Sequence, residues 1–209
     1  VLTGYPNYPN GEIYKEFKKN KSQYSHYKGA RIIRVPILPR KKNKPNLILN
    51  YISFLFNSIF VGYFKLRKHD FDVIFTCQLS PVTIGITSAF FSKITNGPQI
   101  CWVLDLGPDT VEALEIIKKK SLIKVFKNLV NWIYGRCDLI LAQSKKILQE
   151  IDTYPSVRNT YYFPSWGDSD LFKKETKPAK EIKDKKIFTI LFAGNIGKAQ
   201  DFPNLIKAV

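Results

Sequence analysis

Carboxylates cluster where one apolar run of the sequence ends. In VLDLGPDTVEALE (103–115), Asp105 closes a predicted strand and Asp109 follows a Gly-Pro turn. A carboxylate at the end of a strand can orient a substrate hydroxyl or accept its proton. Asp109 is equally suited to be the N-cap of a following helix, and Asp105 could be a hydrogen-bonded loop carboxylate. Both aspartates are therefore candidate site residues for which a purely structural role stays open.

A glycine turn is a second candidate. Residues 190–202 read ILFAGNIGKAQDF, and Gly194, Asn195 and Gly197 follow the apolar part of this run. Glycines after a strand let the backbone approach a phosphate closely, and a helix N-terminus adds favourable dipole charge. The spacing matches neither the dinucleotide-binding G-x-G-x-x-G pattern nor a P-loop. A tight strand-to-helix corner therefore remains an alternative.

Two other loops follow predicted strands. In LTGYPNYPNGEIY (2–14), Tyr5 could stack on a sugar ring and Asn7 could hydrogen-bond its hydroxyls, although a plain irregular loop fits the same residues. In QLSPVTIG (78–85), Ser80 and Pro81 predict the N-cap and first residue of a helix. The N-terminus of that helix could attract an anion.

Histidines and cysteines suggest no further chemistry. His26 and His69 are isolated in polar or basic segments, so we expect neither a metal site nor a catalytic histidine. Cys77, Cys101 and Cys137 are odd in number and not closely spaced, which argues against a disulfide framework and against a zinc site. We expect them to be buried, reduced thiols of a cytosolic protein.

The elements that position these residues alternate between short apolar runs and longer helical patterns. Strands are predicted at 30–37, 71–77, 99–106, 137–143, 160–164 and 186–194, and helices at 46–67, 81–95, 109–119, 121–135, 144–153 and 201–209. Nearly all-apolar strands separated by helices indicate a parallel sheet covered on both faces. The predicted fold class is doubly wound α/β, whose ligands bind beyond the carboxyl ends of the strands.

A charged segment divides the chain. Residues 173–186, KKETKPAKEIKDKK, have no apolar periodicity and predict a linker. We therefore expect a first domain over 1–175, a linker over 176–186 and the start of a second α/β domain over 187–209. The chain contains no Met, begins on strand-like residues and ends within a helical pattern, so we expect it to be a piece of a longer protein.

The predicted helix at 46–67 is unusually apolar. The 18 residues of segment 47–64 carry no charge and are bracketed by RKKNK and KLRK. That length suits a membrane span. However, Asn50, Ser53 and Asn57 form a narrow polar stripe, which favours first a core or partner-covered helix and second a helix lying in a membrane interface. A span is the least favoured interpretation, because a crossover between parallel strands has no room to cross a bilayer.

The charge balance is strongly basic. Lys and Arg number 33 against 17 Asp and Glu, which gives a formal net charge of +16. Such a balance favours phosphates, nucleic acid or an acidic membrane surface as partners. Lysine-rich solvated faces without a specific partner are the alternative.

Taken together, several stretches resemble a known family. In chain order they are VLTGYPNYPNGEIY, RVPILPR, the Ser-Pro pair at 80–81, WVLDLGPDTVEAL, DLILAQS, YYFPSWGD and FTILFAGNIGKAQDFPNLIKA. Their order and types are similar to those of bacterial glycosyltransferases of family GT4, in the subgroup that builds capsular, O-antigen and colanic-type polysaccharides. The chain departs from that pattern at Gly107, where a Trp is usual, and at Ser165, where an Asn is usual.

The resemblance implies the GT-B architecture, in which two Rossmann-like domains face each other across a cleft. The first domain would bind the acceptor, a polyprenyl-diphosphate-linked glycan, and the second the nucleotide-sugar donor, a UDP-linked N-acetylamino sugar. It also implies transfer with retained configuration, no obligatory metal and no cofactor. The enzyme would lie peripherally on the anionic inner face of the plasma membrane, with no nucleic-acid partner.

Site roles follow from matching the motifs. Asp105 is the expected catalytic residue on the acceptor side, and Tyr5, Asn7 and Asp109 are expected to bind the acceptor. The expected donor-binding residues are Gly194, Asn195 and Gly197, with the rest of the donor site beyond Val209, so that this piece alone is expected to be inactive. A GT-B nucleotide-sugar epimerase and a basic, non-enzymatic binding module remain the alternatives.

Overall fold

Short strands alternate with longer helices along the N-terminal three quarters of the chain. A computed structural model describes residues 1–7, 11–40, 44–106, 119–167, 169, 188–194, 196 and 200–208. Within these residues the strands are Leu2–Gly4 (β1), His26–Tyr27 (β2), Ala30–Arg31 (β3), Ile33–Val35 (β4), Ile74–Gln78 (β5), Gln99–Val103 (β6), Leu139–Ala142 (β7) and Thr160–Tyr162 (β8). The α-helices are Lys15–Lys19 (α1), Lys44–Leu66 (α2), Ile84–Thr95 (α3), Lys120–Tyr134 (α4), Lys145–Ile151 (α5) and Phe202–Ala208 (α6).

A four-stranded parallel sheet forms the centre of the fold. Its strand order is β5-β6-β7-β8, and every neighbouring pair is parallel. Helices α3, α4 and α5 fall between consecutive strands, which is the βαβ arrangement. This confirms the prediction of an α/β fold with a parallel sheet. Because all four strands run the same way, their carboxyl ends meet at one edge.

Helices cover one face of this sheet. Cys101, Val103, Ile140 and Ala142 point to that face and form the core with side chains of α4, of α5, of the turn before α3 and of the turn after α4. The contributing residues from outside the strands are Val82, Val130, Ile133, Tyr134, Cys137 and Ile151. The apolar strands are thus fixed by burial against α4 and its neighbours.

The opposite face is open at β5. Burial alternates along this strand, with Thr76 and Gln78 buried and Phe75 and Cys77 exposed. The prediction of a sheet covered on both faces is therefore wrong for β5 in the described part of the chain. The prediction of three buried cysteines is wrong for Cys77 and right for Cys101 and Cys137. Both errors have one cause. Phe75 and Cys77 are apolar, so the sequence does not show that every second residue of β5 is exposed.

Buried amides tie the sheet to the helices. Gln78 Nε2 donates to the Tyr134 hydroxyl over 3.1 Å, and its Oε1 accepts the Cys101 thiol over 3.5 Å. Gln99 Nε2 donates to Ser88 Oγ over 2.7 Å. Partnered polar groups of this kind are tolerated inside a core, whereas unpartnered ones destabilise it.

The N-terminal residues form a separate small sheet. Strands β1 and β4 pair in parallel, with Thr3 opposite Arg34. Between them lie α1 and an antiparallel β2–β3 hairpin. Neither α1 nor the hairpin was predicted, and the strand predicted over 30–37 is divided between β3 and β4. The buried Phe17 of α1 anchors this region.

Helix α3 begins later than predicted. It starts at Ile84, with Thr83 in the N-cap position, whereas the sequence predicted Ser80 as N-cap and Pro81 as the first helical residue. Residues 81–84 form a turn instead, in which Pro81 O accepts the Ile84 amide over 3.3 Å. The predicted caps are therefore wrong by one turn.

Helix α2 is oriented with its polar stripe inward. Asn57 Nδ2 donates to Pro36 O over 2.8 Å, Asn50 donates to Leu38 O, and Ser53 Oγ accepts the Leu38 amide over 2.9 Å. Only 17% of its most apolar 18-residue window is buried. The preferred interpretation was a core or partner-covered helix, and its core-helix half is wrong for the described residues. Coverage of this helix by a partner stays a prediction.

The C-terminal segment departs from prediction in one respect. Residues 188–194, predicted as part of a strand, form no strand in the described structure. Helix α6 follows at Phe202, close to the predicted start. Residues 109–118 of the helix predicted at 109–119, and the charged segment 173–186 that contains the predicted linker, lie outside the described residues.

Candidate functional site

Several polar and aromatic side chains lie beyond the carboxyl ends of the parallel strands. Asp105 lies two residues after β6, Gln143 directly follows β7, and Ser165 and Trp166 lie in the loop after β8. Ligands of open parallel sheets bind at this edge. It is therefore the first place to look for a site.

Two indoles stack at this edge. Trp102, the penultimate residue of β6, lies 5.3 Å from the ring of Trp166 with 14° between the planes. The Trp102 Nε1–H donates to Phe163 O over 3.1 Å, and the Phe163 ring packs edge-on 5.6 Å away. Trp102 is only 8% exposed, whereas Trp166 is 74% exposed. The sheet thus holds an aromatic ring whose outer face is open to a ligand.

Gln143 joins the loops on either side of it. Its Nε2 donates to Leu104 O over 2.8 Å, and its Oε1 accepts the Ser165 hydroxyl over 3.0 Å. Leu104 precedes Asp105, and Ser165 precedes Trp166. One amide side chain therefore fixes the backbone next to the carboxylate and next to the exposed indole.

The Asp105 carboxylate is free to meet a ligand. The side chain is exposed, and no hydrogen bond or ion pair to it occurs among the described residues. Asp109, predicted to bind the acceptor, lies outside the described residues. A free carboxylate, an open indole face and nearby hydroxyl and amide groups suit a hydroxylated ligand such as a sugar.

A cation lies near the end of β5. The Arg40 Nη2 donates to the Tyr51 hydroxyl over 3.2 Å, and that hydroxyl is 3.5 Å from Ser80 Oγ. The guanidinium carbon lies 5.7 Å from the Tyr51 ring centre. Sequence reasoning treated Arg40 only as one member of a basic run, because its contact with Tyr51 in α2 depends on tertiary structure.

The two N-terminal candidates have different environments. The Tyr5 ring lies 5.1 Å from the Phe17 ring and 5.0 Å from Lys21 Nζ. Asn7 is buried, its carbonyl accepts the Gly11 amide over 2.7 Å, and its Nδ2 has no partner among the described residues. In the same part of the structure, no hydrogen bond or ring contact links either residue with Asp105.

Tyr5 also lines a basic cavity. The cavity has a volume of about 320 Å³. Its lining residues are Tyr5, Phe17, Lys21, Ser22, Tyr24, Ser25, His26, Arg31, Ile32, Ile33, Arg34 and Lys65. Arg34 donates to Gly4 O over 3.3 Å, and its guanidinium lies 5.5 Å from the Phe17 ring. Four of these lining residues carry positive charge and none carries a carboxylate.

Of the predicted donor residues, the structure describes Gly194. It is exposed, and the neighbouring Phe192 ring packs on Phe202 of α6 with 4.9 Å between ring centres. Asn195 and Gly197 lie outside the described residues. Within the described part of the chain, no group of three or more His, Cys, Asp or Glu side chains could hold a metal ion.

Trp166, Trp102 and Gln143 were not predicted as site residues. The sequence signal was present, since YYFPSWGD and DLILAQS are among the stretches that carry the family resemblance. These stretches do not indicate, however, that Trp102 in β6 stacks on Trp166 in the loop after β8. A scan against protein-family models found no match to this chain, and a search of curated proteins found no relative.

Proposed function

We propose that this chain is the acceptor-binding part of a GT-B glycosyltransferase of polysaccharide biosynthesis. It would transfer a sugar from a nucleotide donor, a UDP-linked N-acetylamino sugar, to a polyprenyl-diphosphate-linked glycan, with retention of configuration. The sequence resemblance to family GT4 supports this, and so does the parallel α/β sheet. The observation that carries the proposal is that the exposed Trp166 ring and the exposed Asp105 carboxylate belong to two loops joined by Gln143, at the edge where such sheets bind ligands.

Each residue has a role in this proposal. The open face of Trp166 stacks on a sugar ring of the acceptor, and Trp102 beneath it keeps the indole in place. Asp105 accepts a hydrogen bond from the attacking hydroxyl and orients its oxygen toward the donor. Gln143 keeps both loops in register. Tyr5, Asn7 and Asp109 complete the acceptor contacts.

The donor side is proposed from the resemblance. Gly194, Asn195 and Gly197 would let the backbone approach the nucleotide sugar in a second domain that begins near residue 187. Stabilisation of the departing diphosphate would come from that domain by oriented dipoles and cations. The lipid-linked acceptor would keep the enzyme peripherally on the inner face of the plasma membrane.

Tryptophan fluorescence tests the acceptor site directly. The chain is titrated with a short-chain polyprenyl diphosphate carrying one N-acetylamino sugar, in a Trp132→Phe background that leaves Trp102 and Trp166 as emitters. We expect saturable quenching, and in Trp166→Ala an affinity lower by at least about tenfold, because the stacking face is lost. The Trp132→Phe chain is the matched control.

Three outcomes contradict the proposal, the first two in the titration and the third in an assay of the protein expressed from its full open reading frame. Equal binding by the Trp166→Ala chain would remove the indole from the site. Equal response to the polyprenyl diphosphate without a sugar would show that the edge does not recognise carbohydrate. A response to UDP-sugar with product formed in the absence of any acceptor would favour an epimerase instead.

A further inference from the structure

Helix α2 presents a row of large apolar side chains to solvent. Ile48, Ile52, Phe56, Phe60 and Phe64 are four residues apart, so they run along one side of the helix and wind slowly around it. All five are exposed, Phe56 to 67% and Phe60 to 66%. We call these five residues the α2 stripe. Contiguous exposed apolar area of this kind marks an interaction surface.

The protein uses the other side of the helix for its own contacts. Asn50, Ser53 and Asn57 bond to the backbone of segment 36–38, and Ser58 Oγ lies 2.8 Å from Thr87 Oγ1 of α3. Gly62 of α2 also packs against Phe91 of α3. The usual polarity of a surface helix is thus reversed: polar groups face the protein and the apolar stripe faces out.

Positive charge adjoins the stripe. Lys65, Arg67 and Lys68 follow Phe64 directly, and each is exposed. Lys65 also lines the basic cavity, together with Lys21, Arg31 and Arg34, and that cavity has no carboxylate among its lining residues. An apolar helical face bordered by cations complements an anionic lipid leaflet, which offers acyl chains beside phosphate groups.

We propose that helix α2 is a membrane-docking surface that lies in the plane of an anionic leaflet, with the α2 stripe inserted among the acyl chains and the neighbouring cations on the phosphates. The helix is also long and apolar enough to cross a membrane by composition. Spanning would require its inward polar face to give up the bonds to segment 36–38 and to Thr87, so the interfacial orientation is the one that preserves the fold. This surface deepens the peripheral membrane location that is part of the proposed function. The observations that carry it are the exposed residues and inward hydrogen bonds of α2, which are separate from the acceptor site.

Vesicle sedimentation tests the surface. The chain is mixed with vesicles of phosphatidylglycerol or of phosphatidylcholine, and the triple variant Phe56→Ser, Phe60→Ser, Phe64→Ser is compared with Phe75→Ser. Phe75 is also an exposed aromatic residue, but it lies on the open sheet face. We expect binding to phosphatidylglycerol to weaken at least about tenfold in the triple variant, while Phe75→Ser binds like the wild type.

Two further experiments test how deeply α2 inserts into the bilayer and whether the cations next to the α2 stripe contribute to binding. A Phe60→Trp chain should show extra quenching by brominated acyl chains over the wild type, which a partner protein could not produce. The variant Lys65→Glu, Arg67→Glu, Lys68→Glu should lose most of the preference for phosphatidylglycerol. Circular dichroism of each variant establishes that a loss of binding is not a loss of folding.

Three results would overturn the inference. The first is equal sedimentation of the triple variant and Phe75→Ser. The second is retention in the membrane after alkaline extraction, which would indicate a span. The third is a dimer in ultracentrifugation that the triple variant abolishes, without vesicle binding by the wild type. The fluorescence titration with a soluble acceptor is independent, so either proposal can fail alone.

Discussion

Gln143 shows how much of the candidate site depends on one side chain. Its amide donates to one loop and accepts from another, so the positions of Asp105 and Trp166 are coupled through it. A carboxamide is needed because one end must donate and the other must accept. Replacement by glutamate keeps the size but removes the donor.

We therefore expect Gln143→Glu to weaken acceptor binding. The carboxylate would face Leu104 O without a proton to donate, and the loop carrying Asp105 would lose its anchor. Loss of a buried or half-buried hydrogen bond of this kind costs about 1–3 kcal/mol, or roughly five- to hundredfold in affinity if it acts only on the bound state. The measurement is the tryptophan titration. Ser144→Ala, which removes the N-cap of α5 next to it, is the control for a general loss of stability.

Asp105 is tested at the level of turnover. Asp105→Asn should lower the rate of sugar transfer by about 10²–10⁴, because a positioned base contributes that much. The Michaelis constant for the UDP-sugar should change little. The assay uses the protein expressed from its full open reading frame with a lipid-linked acceptor. Asp72→Asn, an exposed aspartate before β5, serves as the comparison, and an unchanged rate in Asp105→Asn would remove this residue from the reaction.

The buried hydroxyl of Tyr134 should make the unfolding free energy depend on pH in the alkaline range. Burial raises the pKa of its hydroxyl well above the ordinary value, so the folded protein holds this proton where the unfolded chain loses it. The resulting stability is complete below pH about 10 and is lost as pH rises above it.

We expect Tyr134→Phe to be less stable at neutral pH by about 1–3 kcal/mol, because Gln78 Nε2 loses its partner. Its unfolding free energy should then fall less steeply above pH 10 than that of the wild type. Urea unfolding at several pH values measures both effects. Parallel curves for the two proteins would contradict the role of this hydroxyl. Cys101, whose pKa is also raised by the neighbouring Cys137 thiol and by burial, is common to both proteins.

Helices α3 and α4 approach each other closely at Gly85. A Cβ placed on Gly85 would lie 2.3 Å from Ile133 Cγ2, closer than atoms can approach. Ile133 is fully buried, so its side chain has little freedom to move away. Position 85 therefore requires glycine because there is no room for a Cβ beside Ile133.

Gly85→Ala should therefore destabilise the fold, by about 1–3 kcal/mol, despite the better helix propensity of alanine. Lys93→Ala on the exposed side of the same helix should change stability by less than about 0.5 kcal/mol. Thermal or urea unfolding checks the pair. A Gly85→Ala protein as stable as Lys93→Ala would mean that α4 can shift to accept the methyl group.

Strands and helices with strong apolar patterns were predictable, and the short ones were not. β5 to β8 and the long helices follow from apolar runs of adequate length. Helix α1 and the β2–β3 hairpin are short, polar and rich in Lys and Tyr, so they depend on the packing of Phe17 rather than on propensity. For α2 the pattern was visible but ambiguous, because a polar stripe can face either water or a backbone that needs hydrogen bonds.

At the scale of the whole molecule, sequence patterns could predict the parallel sheet but not its site. The Trp102–Trp166 stack and the hydrogen bonds of Gln143 join residues that are far apart in the sequence, and no local pattern predicts such pairings. The position of Asp105 just after a strand could be predicted because it is a local feature, whereas its role in the reaction stays a prediction. The open face at β5 could not be predicted, because the exposed residues Phe75 and Cys77 are apolar and the buried residues Thr76 and Gln78 are polar.

Net charge affects the molecule as a whole. A formal charge of +16 implies self-repulsion in the folded state. The repulsion is screened as the Debye length shrinks from about 30 Å at 10 mM salt to about 8 Å at physiological ionic strength. We expect the thermal midpoint to rise by a few degrees over that range. Sodium chloride and potassium chloride should act alike, and a midpoint that falls with salt would show that ion pairs outweigh the repulsion.

The three thiols are divided between two very different surroundings. Cys101 and Cys137 are buried in the core, whereas Cys77 stands on the open sheet face beside Phe75. Burial raises the pKa of the Cys77 thiol, so its reaction with a maleimide should be slow at neutral pH but selective. A single addressable sulfur on this face allows footprinting: any segment or molecule that covers β5 would protect Cys77 from the reagent. The labelling rate therefore measures how much of the time that face is covered.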